Sequence, residues 1–390
     1  MLKSLKEHNF DELENCRSYK LFKMAIKSPK TLYQYRFPLR EFFKYAHLTS
    51  FDELTKIGTN KIQSLLENWI IDLAARGVKG NSIRGKLAPI ELFLEMNRVN
   101  FHKKILHKLI PRDEGVLGGD VPFTNEDIKQ MLGSTKKLRT KAFVHFLAST
   151  GIRPGALIDP ILRREHMTEM PENCLAIKVY DNSKEGYWAF LTPEAKKELY
   201  KYFKSRELNG EILTDKSPIF VNEKNRSHLT YNNLKQLMHK LLKAGGIARI
   251  KNGRRYDKAA NYGFRKRFNG ILKMNNNVNS NIAEKLMAHK KGLDGAYLKP
   301  TIEQCFTEFA KAIPDLTIDD SERKNIKIEK LEQEKSEKLD NLEQSLQMTE
   351  EKLNFVLEGM EYYSKQNPNF GFSWKKPKDY KPQLPWNSQT

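Results

Sequence analysis

Tyr297 stands a few residues beyond a Lys-Lys-Gly turn in the stretch from Glu284 to Pro300, EKLMAHKKGLDGAYLKP, which also carries His289. A tyrosine acts as a nucleophile only with strong positive charge around it, because its free pKa is about 10 and the phenol is mostly protonated near neutrality. Polar and cationic groups precede it in a definite order: Thr150-Gly151-Ile152-Arg153, Lys184 in a predicted strand turn, Tyr262-Gly263-Phe264-Arg265, then His289. Each has a plainer use when taken singly. Tyr297 would pack, Arg153 would end a helix, Lys184 would sit exposed in its turn, and His289 would cap. Arg265 would be one phosphate contact among several.

The charge balance says what such a cluster meets. The formal net charge is +20, and residues 321–390 carry 12 basic against 12 acidic side chains, so the whole excess lies in the first 320 residues. Between Lys224 and Lys273 there are 14 basic residues and one acid, Asp257. A solvated face does not need fifty residues with a single carboxylate; a polyanion does, and nucleic acid fits better than membrane, since no basic amphipathic anchor stands out. Lys240, Lys243, Arg254, Arg255, Lys266 and Arg267 are the candidate phosphate contacts.

In residues, order and approximate spacing, the five motifs resemble the tyrosine recombinase (phage integrase) family. The resemblance covers residues 28 to about 315. It implies cutting and rejoining of duplex DNA through a 3′-phosphotyrosyl intermediate, which conserves the bond energy and needs neither ATP nor a cofactor. Tyr297 would be the nucleophile. Arg153 and Arg265 would clamp the non-bridging oxygens, where the transition state gathers charge, through planar forks that never deprotonate. Lys184 would be the general acid for the leaving 5′ oxygen, its pKa lowered by cationic neighbours, and His289 would donate to the phosphate or assist Tyr297. No carboxylate pair or HExxH-like cluster offers a metal site, so metal-independent chemistry is expected. Three departures resemble the divergent integrases of archaeal viruses and mobile elements. Tyr262 stands where the family usually has histidine, with Lys266 after the arginine. Arg153 is followed by Pro154, Gly155 and Ala156 rather than an acid, and the step from His289 to Tyr297 is short. Tyr262 then reads as a hydrogen-bond donor rather than a base.

The predicted fold class is mainly α with a small β-sheet: a helical core-binding domain, a mixed α/β catalytic domain, and a C-terminal helical or coiled-coil tail. Residues 1–27 form a helical lead-in. In 28–114, Ser28-Pro29 reads as a cap with proline at the first helical position, and helices follow over Thr59 to Ala75, from about Asn81, and over His102 to Ile110. Residues 115–122, GVLGGDVP, are the linker. In the catalytic domain, 123–318, Thr124 and Asp127 make a capping pair, and an apolar helix over Ala142 to Ala148 delivers Arg153. Leu175 to Tyr180 and Tyr187 to Leu191 form a hairpin around Lys184, Pro218 to Val221 is a brief strand, and Tyr231 to Lys243 a basic helix. Asn281 is expected to cap the His289 helix, with Glu284 in the capping-box position. Residues 319–363 carry a heptad seam of Leu339, Leu342, Leu346, Leu353, Val356 and Met360, and 364–390 are expected to be disordered.

Three scattered cysteines, with no CxxC pair, suggest a reducing compartment. With no apolar run near 18 residues and no hydrophobic leader, a cytoplasmic, DNA-associated protein is expected. Double-stranded DNA is the expected partner. Family likeness implies a homo-oligomer, a tetramer on two synapsed sites. Two rivals stay open: a degenerate DNA-binding protein that no longer cuts, and a type IB topoisomerase-like enzyme.

Overall fold

The computed structural model describes residues 14–113, 119–223, 225–252, 255–289 and 298–367. They fall into two compact units divided between residues 116 and 117.

The first unit is helical: α1 (Arg17–Ala25), α2 (Pro29–Tyr45), α3 (Phe51–Lys56), α4 (Thr59–Ala75), α5 (Gly80–Met96) and α6 (Lys103–Leu109). The Ser28 side chain accepts from the Thr31 backbone N–H and Pro29 opens α2, so an orphan donor is satisfied where proline lacks one. Phe22, Phe42, Phe51, Trp69 and Phe93 are fully buried. Phe51 holds its ring 4.8 Å from Phe43 and 5.7 Å from Phe93. These aromatics are core, and Tyr19 and Phe22 of α1 belong to it. Six-residue α3 is too short to show a helical period, and only its Ser50 cap marks it.

The second unit is built on α7 (Asn125–Gly133), α8 (Leu138–Thr150), β1 (Met167–Met170), β2 (Cys174–Val179), β3 (Tyr187–Leu191), α9 (Pro193–Leu208) and α10 (Tyr231–Ala244). They are followed by β4 (Lys251–Asn252), β5 (Arg255–Tyr256), α11 (Tyr262–Met274), α12 (Ser280–Leu286), α13 (Ile302–Ala310), α14 (Ile313–Leu316) and α15 (Asp320–Gln366). Thr124 and Asp127 form the reciprocal capping box of α7. α8 is buried all round because it lies between α9, α11 and β3. The sheet runs β1-β2-β3, antiparallel, with Ile177 between Met167 and Ala189. β1 was not anticipated: its side chains are half to fully exposed and show no alternation. Pro218 and Val221, expected in a strand, make isolated bridges to Arg163 and His228. Asn279, not Asn281, caps α12, accepting from the Asn281 and Ile282 N–H groups.

α15 is a single 47-residue helix with none of its residues buried. Its root is tied down: Glu194 accepts from the Ile318 and Asp319 N–H groups at 2.8 and 3.0 Å, and Lys197 pairs with Glu322 at 3.2 Å. Beyond it Leu339, Leu342, Leu346, Leu353 and Val356 remain 39–58% exposed. Among the described residues no helix is long and apolar enough to cross a membrane.

Candidate active site

α8 ends at Gly151, whose φ of 56° lies in the left-handed region. A Cβ there would come within 2.6 Å of the Phe268 ring on α11, so both the backbone and the close approach demand glycine. That approach brings the Gly151 carbonyl to Arg265, whose Nη1 donates to it at 2.9 Å. The second motif uses its glycine likewise. Gly263 packs where a Cβ would meet the Phe123 ring at 2.6 Å, which seats the first turn of α11 against the start of the unit. Gly151 thus brings the two arginine motifs together, and Gly263 seats the second against Phe123.

Arg265 is 6% exposed. Its Nη2 donates to the Met287 carbonyl and lies 3.0 Å from His289 Nε2. His289 Nδ1 lies 2.7 Å from Glu284 Oε2. A guanidinium only donates, so Nε2 must be the accepting nitrogen and the ring proton sits on Nδ1, shared with Glu284. Glu284 in turn pairs with Lys273. Ala288 makes this possible: at φ 51° it turns the chain back, and the His289 N–H reaches the Glu284 carbonyl at 2.9 Å. An alanine held there is strained by about 1 kcal/mol or more, the kind of cost found where geometry matters for function.

Arg153 caps the 3-10 turn Pro154–Leu157 and is half-buried. Burial first, then the Arg153 charge, holds Arg265 below the usual guanidinium range. Two cations so placed favour an anion between them. Tyr262, first residue of α11, is 49% exposed and also acts on Arg265. Lys184 is exposed in the β2–β3 turn and lines a cleft of about 360 Å³ with Tyr187, Lys285, Ala288, His289 and Leu298. Tyr297 lies outside the described residues, as do Lys224 and Arg254. His289 and Leu298, the described residues flanking Tyr297 in sequence, both line this cleft.

The basic block divides. Lys240, Lys243 and Arg255 are exposed, and half-exposed Lys266 pairs with Asp120 at 2.5 Å. Arg267 is a correction: it is 5% exposed, and its donors are spent on partners inside the protein rather than on a phosphate. Its Nε and Nη2 donate to Asn125 Oδ1, and its remaining bonds go to the carbonyls of Ala148, Asp315 and Leu316. It is a tie between α11 and the segment leading to α15. Sequence reading missed Glu284 as the carboxylate that orients His289, and it missed Tyr187 as a site residue.

No family model matches the chain, and no curated protein matches it. Among solved structures it is similar to the Tn1549 transposon integrase in complex with circular intermediate DNA, at 13% identity over 75% of this chain and 98% of that one, with a TM-score of 0.52. It is also similar to the XerH site-specific recombinase bound to difH substrate, at 18% identity, 75% and 86% coverage and TM-score 0.49. A third is a lambda integrase dimer bound to a COC′ core site, at 14% identity, 73% and 96% coverage and TM-score 0.49. The first of these likenesses establishes a shared integrase fold, helical with a small antiparallel sheet.

Proposed function

We propose that the chain is a site-specific DNA recombinase of the tyrosine type, of the divergent kind carried by archaeal viruses and mobile elements. The observation that carries the reading is the convergence of Arg153, Arg265 and an oriented His289 beside a cleft that also holds Lys184. A backbone phosphate placed there meets two guanidinia that offer fixed positive charge to a transition state gathering negative charge. Tyr297 would attack the phosphorus and displace the 5′ oxygen, which takes a proton from Lys184. The accepting Nε2 of His289 suits it to hold Arg265 and to take up the phenol proton as the fork turns to the phosphate. Later attack by a 5′ hydroxyl would reverse these steps and release the tyrosine.

Incubating the full chain with nicked suicide duplexes, followed by denaturing electrophoresis, tests this. A protein–DNA adduct that survives denaturant is expected. Binding without adduct would favour the non-cleaving rival. Adducts on any sequence, with relaxation of supercoils, would favour the topoisomerase-like one.

Exposed Lys240, Lys243 and Arg255, together with Arg254 beside Arg255 in sequence, are proposed to carry non-specific affinity for duplex DNA. Replacing Lys240, Lys243, Arg254 and Arg255 with glutamine should weaken binding to all sequences alike. For every phosphate no longer neutralised, the slope of log K against log salt should flatten by about one unit. An unchanged slope would place these residues away from DNA. Arg267→Gln, by contrast, should lower thermal stability and leave the slope alone, since its donors serve Asn125 and three carbonyls.

The heptad face beyond residue 338 is proposed to join copies of the chain on two DNA sites. Deleting residues 339–390 keeps the anchored root of α15, including Glu322 and its pair with Lys197. The truncated chain should fold, bind DNA and cleave single sites, while recombination between two sites falls. Loss of folding would mean that this face packs within its own chain.

A further inference from the structure

Tyr187 opens β3 three residues after Lys184 and lines the same cleft as Lys184 and His289. It is 8% exposed, and its hydroxyl has no hydrogen-bond partner among the described residues. A buried hydroxyl normally finds one, so an orphan in a cleft calls for a ligand. The neighbours decide which kind. Arg265 and Arg153 are the cations that act on this hydroxyl. Arg265 also donates weakly toward its oxygen, outside good hydrogen-bond geometry, and as guanidinia neither has any acceptor for its proton. The Tyr180 ring stands 6.3 Å away, centroid to centroid, with no hydrogen bond between the two phenols. The Tyr187 proton is therefore left for a group that the described residues do not supply, in a place where two guanidinia already favour negative charge.

We propose that the Tyr187 hydroxyl is a further phosphate donor of this site, directed at a non-bridging oxygen of the bound DNA phosphate beside the Arg265 fork. This rests on the recombinase reading and adds to it a residue outside the five motifs. Burial pushes the phenol up to about 12, against the pull of Arg265 and Arg153, so it keeps its proton throughout the working pH range. A donor must do that, and a nucleophile or base must not. Tyr187 is thereby separated from Tyr297, which has to lose its proton to react. The hairpin that carries Lys184 to the leaving oxygen would also carry, on its next inward-facing position, a neutral donor for the same phosphate.

The test uses the full chain and Tyr187→Phe, on nicked suicide duplexes captured covalently by the unsubstituted protein from a random-sequence pool. The substitution removes one oxygen and nothing else. Removing an unpartnered hydroxyl should leave the melting temperature equal or raised. DNA binding should be unchanged, and single-turnover cleavage should slow by about tenfold to hundredfold, as expected for one hydrogen bond to a charged group. The same pair is then compared on duplexes with a methylphosphonate at the scissile phosphate. On the isomer lacking the contacted oxygen, the two proteins should cleave at similar rates. Equal rates on the ordinary phosphate overturn the proposal, and so does a penalty that persists on both isomers, which would mark a purely structural role. In either case adducts formed by the unsubstituted protein leave the recombinase reading standing. No adduct from that protein on any duplex overturns both.

Discussion

Tyr297→Phe should bind DNA as tightly as the unsubstituted chain and form no covalent adduct on a suicide substrate. The effect is all-or-none because phenylalanine has no oxygen to attack phosphorus. The sequence singles out this tyrosine among 15, because it follows His289 in the order of the motifs. Tyr180 and Tyr187, the described phenols on which both Arg153 and Arg265 act, are raised chiefly by burial, which opposes ionisation. Tyr262 sits exposed at the N-terminus of α11. Peptide mapping of the adduct decides the matter. DNA attached to Tyr262, Tyr180 or any tyrosine but Tyr297 would sink the assignment.

Arg265→Ala carries the second large effect. Removing a fixed charge aimed at a developing oxyanion slows chemistry by about a hundredfold to a thousandfold, and more where a whole guanidinium is lost. In this chain the substitution also frees the Gly151 and Met287 carbonyls and the acceptor nitrogen of His289. Each buried acceptor left unpaired costs about 1–3 kcal/mol, so the melting temperature should fall as well. Arg265→Lys separates the two losses. It restores a cation, yet a single ammonium cannot serve Gly151, Met287 and the phosphate as a planar fork does, so activity should stay low while part of the stability returns. Tyr262→Phe is the useful comparison, because it removes one donor from an exposed position. It should slow cleavage by only about tenfold to hundredfold, and Tyr262→His should be tolerated. Single-turnover cleavage by these variants, run beside thermal melts, checks the ranking. If Tyr262→Phe proved as inactive as Arg265→Ala, the phenol would have to count among the essential groups.

What the sequence by itself determined follows from interactions between near neighbours. Caps are local, so Ser28-Pro29 and the Thr124–Asp127 box mark helix starts without knowledge of the fold. Periodicity is local, so the predicted Thr59–Ala75 helix has the same bounds in the structure, and the hairpin around Lys184 stands within a residue of its expected place. The order of Arg153, Lys184, Tyr262, Arg265, His289 and Tyr297 was legible because motifs are read along the chain. Packing is not read that way. Arg265 and Arg267 are the same residue type two positions apart on one helix, and both are buried. Only tertiary contacts aim one at His289 and lock the other to Asn125 and the carbonyls before α15. Asn279 took the cap expected of Asn281, which left Glu284 to orient His289 once Ala288 turned the chain. Tyr187 looked like an ordinary inward residue of a strand. Only folding brought its hydroxyl under the influence of Arg153 and Arg265, from segments 34 residues before it and 78 after it, a distance over which local rules carry no information.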